Sequence, residues 1–303
     1  MRDFADQMIE AARELGAAVH RIKFTLPVTH VYNPLGYAWR AHEAYLRKFG
    51  NGRKRVVFLG MNPGPFGMVQ TGVPFGEISA VRDWMRIETT IGRPRREHPK
   101  RPIEGFACPR SEVSGKRLWG LFAQRFGSAE NFFADNFVIN YCPLAFFDSD
   151  GRNLTPNKLP TGQAAPLFAA CDRHLQRAVE LLEPRWLIGV GDFAERRARL
   201  LLAEVAANSN PTLPPRGRET QPPIRLHGSF PRKEPEVGAS APGGRKILSQ
   251  AFTSLKATGR RAPGEMAVMK IGRILHPSPA SPAANKDWAR KATDELKALG
   301  IWR

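Results

Sequence analysis

The chain has 303 residues, 42% hydrophobic and 24% charged, enough for a large core in one α/β domain or two smaller ones. Its 46 Lys and Arg outnumber 28 Asp and Glu, and the resulting charge of +18 attracts polyanions and speeds encounter with them. No apolar run approaches the ~20 residues of a membrane span, and three scattered cysteines (Cys108, Cys142, Cys171) argue against a disulfide scaffold, zinc finger or iron–sulfur cluster.

The opening of the chain mixes charge through an apolar pattern, unlike a secretory signal. Phe4, Met8, Ile9, Ala12, Leu15 and Val19 recur at helical spacing and predict an amphipathic helix, an N-terminal extension (1–25) of a single domain. Four short apolar runs predict covered strands: RVVFLG (Arg55–Gly60), NFVINY (Asn136–Tyr141), RWLIGVG (Arg185–Gly191) and AVMKIGRIL (Ala267–Leu275). The first three lack polar alternation, as strands do when helices cover both faces of a parallel sheet. Helices are predicted between them. Ser114–Gly127 places Leu118, Leu121, Phe122 and Phe126 on one side and ends on glycine; Gly162–Pro184 is closed by proline. DFAERRARLLLAEVAA follows the third strand, and the tail NKDWARKATDELKALG reads as one more helix. The alternation predicts an α/β fold, a three-layer α/β/α sandwich around a four-stranded parallel sheet. Residues 208–262 break the pattern with eight prolines and ten Lys or Arg against three Glu. They read as a basic insertion before the fourth strand, either a solvated loop or a surface for DNA backbone.

The stretch FLGMNPGPFGMVQTGVPFG, Phe58 to Gly76, holds five glycines and three prolines in nineteen residues. Backbone that is both so free and so fixed implies close approach by something else. In an open parallel sheet, ligands bind beyond the carboxyl ends of the strands. Three such ends, running into GMNPGP, NYCPL and HPSP, bring Asn62, Asn140 and His276 towards one cleft. GMNPGP is neither GxGxxG nor a P-loop, and nothing resembles HExxH or a carboxylate pair. Ser278 near His276 lacks a nucleophile elbow. Dinucleotide binding, metal hydrolysis and serine hydrolysis are therefore disfavoured. The planar amide of Asn140 can pair with the edge of a base or tie a turn. Phe75 can floor a pocket beneath that base or belong to the core, and His276 can serve chemistry or sit neutral in packing. Lys54 and Lys116, near the motifs, are expected at solvent or on phosphate.

The blocks VTHVYNPLGYAW, FLGMNPGPFGMVQTGVPFG, VRDW, EHPKRP, CPRSEVSG, NYCPL, GRNLTP and HPSPASPAANK, in this order, closely resemble the single-strand-selective monofunctional uracil-DNA glycosylases. These are one branch of the uracil-DNA glycosylase superfamily. The likeness runs from about Val28 to Ala206 and from Met269 to Gly300. It implies hydrolysis of the N-glycosidic bond of uracil in single- or double-stranded DNA, the first step of base excision repair, with no metal or cofactor. It implies that Asn62 holds the attacking water and His276 stabilises charge growing on uracil O2. Asn140 would read the N3/O4 edge, Phe75 would stack on the base, and Met61 and Gly64 would shape the wall near C5. The segment Ser278, Pro279, Ala280, Ser281, Pro282, Ala283, Ala284, Asn285 and Lys286 matches the family's duplex wedge. The best-known members carry arginine where Ala280 stands, which weakens the expectation of duplex opening; Lys286 or the basic insertion can compensate on phosphates. The expected partner is uracil-containing DNA, bound by a monomer with no membrane partner. Its place is the nucleoid-associated cytoplasm of a bacterium or the nucleus of a eukaryote. Two other readings stay open: wider action on xanthine or hypoxanthine, and a non-catalytic nucleic-acid binder.

Overall fold

The computed structural model describes residues 3–208 and 269–303. The proline-rich stretch read as an insertion lies outside the described residues, apart from Asn208 at the end of a helix. The first half runs α1 (Phe4–His20), β1 (His30–Tyr32), α2 (Pro34–Tyr37), α3 (Trp39–Phe49), β2 (Val56–Gly60), α4 (Met68–Thr71), α5 (Val113–Phe126), α6 (Ala129–Asp135) and β3 (Asn136–Asn140). Then follow β4 (Ala145–Phe147), β5 (Asn153–Leu154), α7 (Thr161–Leu182), β6 (Trp186–Val190), α8 (Asp192–Asn208), β7 (Lys270–Ile274), α9 (Pro282–Asn285) and α10 (Trp288–Ala298).

The main sheet has four parallel strands in the order β3-β2-β6-β7 and is flanked by helices, as the four apolar runs predict. Burial of β2 and β3 is complete, which explains why their central residues are apolar without alternation. β7 lies at an edge, and its Lys270 and Arg273 are exposed. Winding proceeds from β2 outward to β3, then crosses to β6 and β7 on the other side; ligand crevices form where such winding reverses. Register matters as much as order. Gly60 lies beside Asn140 and Val190 beside Ile274, so the loops carrying Asn62, Asn140 and His276 leave one edge of the sheet.

The stripe predicted for α1 is buried against α3 and α7 at Met8, Ile9, Ala12, Leu15 and Val19, while Phe4 stays 36% exposed. Each large apolar side chain so covered contributes about 1.5–3 kcal/mol. The predicted tail helix forms as α10. It starts after Asp287, whose φ of 54° is left-handed and whose carboxylate accepts the Arg290 N–H at 3.3 Å as the cap of α10. A second sheet, antiparallel β1-β4-β5, has strands of only two or three residues, too short for a period to be read in sequence. Lys54 also departs from expectation. It is 5% exposed and donates to the carbonyl of Phe133 at 2.6 Å, so it reaches neither solvent nor phosphate. Lys116 is exposed.

Candidate active site

A cleft of about 800 Å³ opens at the carboxyl edge of the sheet, and Met61, Asn62, Gly64, Phe75, Asn140 and His276 all line it. Ser278, Pro279, Ala280 and Ser281 also line it, while Pro282, Ala283, Asn285 and Lys286 lie exposed beyond. Ala284 corrects the reading of this segment: at 1% exposure it belongs to the core and cannot meet DNA. Arg117 ties the segment to α5, donating to Pro277 O at 3.1 Å and to Asn285 Oδ1 at 3.0 Å.

Gly60 explains how Phe75 and Asn140 come together. A Cβ at this position would lie 2.5 Å from Phe75 Cε2 and closer still to Asn140 Oδ1, so only glycine lets both side chains close over the strand end. Phe75 itself has φ of 52°, a left-handed conformation that costs about 1–3 kcal/mol outside glycine. Its carbonyl is held there by the Trp119 indole N–H at 3.0 Å and the Glu77 N–H at 2.7 Å. The ring is thus fixed by its own backbone. Its centroid is 6.2 Å from that of His276.

Hydrogen bonds orient the polar groups. The Asn62 amide donates through Nδ2 to Leu144 O at 3.2 Å, which leaves Oδ1 as an acceptor on a residue that lines the cleft. Leu144 immediately precedes β4, so the small antiparallel sheet helps set that carbonyl. Asn140 is 8% exposed, and its Nδ2 lies 3.3 Å from Met68 Sδ, a weak acceptor. His276 Nδ1 accepts the Ser278 N–H at 3.1 Å, so the proton of the neutral ring sits on Nε2. Burial lowers its pKa to about 4, and the ring is neutral at physiological pH. Ser278 meets His276 through its backbone, not as a nucleophile.

Three lining groups carried no role in the sequence reading. Glu112 fills the space beside Gly64, where a Cβ would lie 2.8 Å from its Cδ, and its Oε2 accepts the Phe66 N–H at 3.4 Å. Burial pushes its pKa up. Phe66 lies under two guanidiniums, with Arg110 at 4.1 Å and Arg101 at 5.5 Å from its ring. The signal was in view, since CPRSEVSG holds both Arg110 and Glu112, but no local pattern says that a loop will fold back over GMNPGP. Among the described residues no group of three or more His, Cys, Asp or Glu side chains could hold a metal ion.

The model of the uracil DNA glycosylase superfamily matches residues 47–297. The single-strand selective monofunctional uracil-DNA glycosylase of Rattus norvegicus is 39% identical over 300 residues, covering 99% of this chain and 86% of the relative. Its namesake in Bos taurus is 38% identical, covering 99% and 88%. The crystal structure of wild-type Pedobacter heparinus SMUG2 superposes with a TM-score of 0.54 over 99% of both chains at 16% identity, a likeness of fold. A cleft built on the GMNPGP, NYCPL and HPSP ends of one parallel sheet, in a chain matched along nearly its whole length, leaves one assignment: the protein belongs to the uracil DNA glycosylase superfamily.

Proposed function

We propose that this chain hydrolyses the N-glycosidic bond of uracil in DNA, with Asn62 and His276 as its catalytic residues and no cofactor. The observation that carries this reading is that Asn62, with its Nδ2 held by Leu144 O and Oδ1 left as an acceptor, lines one cleft with a neutral histidine whose N–H is on Nε2. The flipped base stacks on Phe75, and Asn140 meets N3–H and O4 with its oxygen and its NH2. Met61 and Gly64 border C5, with Glu112 standing where a side chain at position 64 would be.

Uracil leaves as an anion stabilised by its two carbonyls, so aimed dipoles serve better than strong acids. As the C1′–N1 bond breaks, the pair of electrons passes to uracil and His276 Nε2–H donates to O2. Asn62 cannot take a proton, because an amide has no useful basicity; it holds water against the oxocarbenium-like sugar, and as the water oxygen bonds to C1′ its proton is released to neutralise the departed uracil anion. Cytosine presents donor and acceptor in the opposite order and would leave buried groups unmatched, at ~1–3 kcal/mol each. The products are free uracil and an abasic site, with the strand intact. Ser278 to Ser281, with Asn285 and Lys286, contact the DNA, and the enzyme acts as a monomer. It works where DNA is held, in the nucleoid-associated cytoplasm of a bacterium or the nucleus of a eukaryote.

Labelled oligonucleotides carrying uracil, thymine, xanthine or hypoxanthine, single- and double-stranded, followed by hot alkali, test this. Cutting at uracil is expected, and His276→Ala or Asn62→Ala should keep DNA binding while losing about 10²–10³-fold in rate. Binding without base release by the wild type would make the protein a binder. Cutting at xanthine or hypoxanthine as fast as at uracil would widen its substrate class.

A further inference from the structure

Asn140 and Met68 line a second cavity as well as the cleft, a small one of about 30 Å³. The other polar side chains around it are His42, His174 and Tyr45, and the Tyr45 hydroxyl is committed to Val138 O at 2.8 Å. His42 Nδ1 lies 2.8 Å from Gly72 O, and His174 Nδ1 lies 3.2 Å from Ala11 O. A carbonyl can only accept, so both Nδ1 atoms carry the proton. Burial lowers the pKa of each ring to about 4, so both are neutral and each Nε2 is a bare acceptor. Neither Nε2 has a hydrogen-bond partner among the described residues. A cavity of this size has room for one water, provided that it finds two to four polar partners.

We propose that one ordered water in this cavity joins His42 and His174 to Asn140, fixes the direction of the Asn140 amide, and makes both histidines positioning residues for choosing uracil over cytosine. The proton inventory is the argument. Two histidine acceptors take both protons of the water, and its lone pairs then need a donor. The side chain able to supply one is the Asn140 NH2, whose inward N–H, 3.3 Å from the weak acceptor Met68 Sδ, exchanges that contact for the water. With one N–H turned inward, the other N–H and Oδ1 face the cleft in the order O4 and N3–H require. A flipped amide would suit cytosine, but would aim its oxygen at a water with no proton left to give. The inference rests on Asn140 reading the base.

A high-resolution crystal structure of the wild-type protein should show one water within hydrogen-bond reach of His42 Nε2, His174 Nε2 and the Asn140 amide. Single-turnover excision on uracil and cytosine oligonucleotides supplies the second readout, with melting curves to verify folding. His174→Phe is expected to lower kcat/KM on uracil about tenfold and to narrow the uracil-to-cytosine ratio by a similar factor. His174→Gln, which keeps an acceptor, should recover most of both. In an Asn140→Ala background His174→Phe should change nothing further. A dry cavity, or equal losses from His174→Phe in both backgrounds, overturns the proposal. If Asn140→Ala by itself leaves the ratio intact, the base-reading role of Asn140 fails first; if it collapses the ratio while His174→Phe does not, only the water fails.

Discussion

Gly60→Ala is the smallest perturbation that tests how the site is assembled. The added methyl would sit 2.5 Å from Phe75 Cε2, where ordinary contact begins at 3.4 Å, so ring or strand must move by about 1 Å. Phe75 cannot simply swing away, since its left-handed backbone is held by Trp119 and Glu77. Asn140 is confined in the same way, beside Gly60 in register and against Met68. Overpacking of this kind costs about 1–3 kcal/mol of stability, and a misplacement of about 1 Å in a reacting site costs about 10²-fold in rate. We therefore expect kcat/KM for uracil excision to fall about 10²-fold in single-turnover assays with alkali cleavage, while the protein remains folded at 25 °C. Gly120→Ala is the matched control, because a Cβ there meets nothing within 4 Å in the middle of α5 and should leave the rate unchanged. Wild-type activity in Gly60→Ala would refute the claim that Phe75 and Asn140 act from the positions described.

Three further outcomes are expected. Because the pKa of His276 is lowered to about 4, excision should show no inflection near 6.5 and should fall only as pH drops towards 4; loss of activity on raising pH through 6.5 would mean that a protonated histidine does the work. The same burial at His42, which is 7% exposed, has a stability counterpart. A native pKa of about 4 against 6.5 unfolded corresponds to about 3 kcal/mol, present above pH 6.5 and lost as pH falls to 4. Urea midpoints of wild type and His42→Gln across that range should converge at low pH. Arg117→Ala removes both bonds that tie Pro277 and Asn285 to α5, and should lower kcat/KM on duplex uracil about tenfold while changing the single-strand value less than about twofold. Equal losses on both substrates would show that Arg117 serves the fold and not the wedge.

The strands and most helices were legible because their signals are local: unbroken apolar runs for β2, β3 and β6, and a 3.6-residue stripe for α1 and α5. Residues that line the cleft were legible for a related reason. Parallel strands aim their carboxyl ends one way, so Asn62, Asn140 and His276 had to leave the same edge once the sheet was right. The first residue of α10 was not, because an aspartate that caps a helix and one that rides along it look alike until its φ is known. Lys54 was misread because nothing beside it in the chain announces that Phe133 O will face its ammonium.

Composition, periodicity and motif order determined the fold class, the polyanion preference and the residue types available for chemistry. Tertiary structure decided the states those residues adopt. The proton on His276 Nε2 depends on the Ser278 N–H, the hold on the Asn62 amide on Leu144 O, and the carboxyl beside Gly64 on a loop that begins about fifty residues later. Each is a contact between groups with no local period to link them. Direction and protonation are set by the partner, and the partner is known only when the chain has folded.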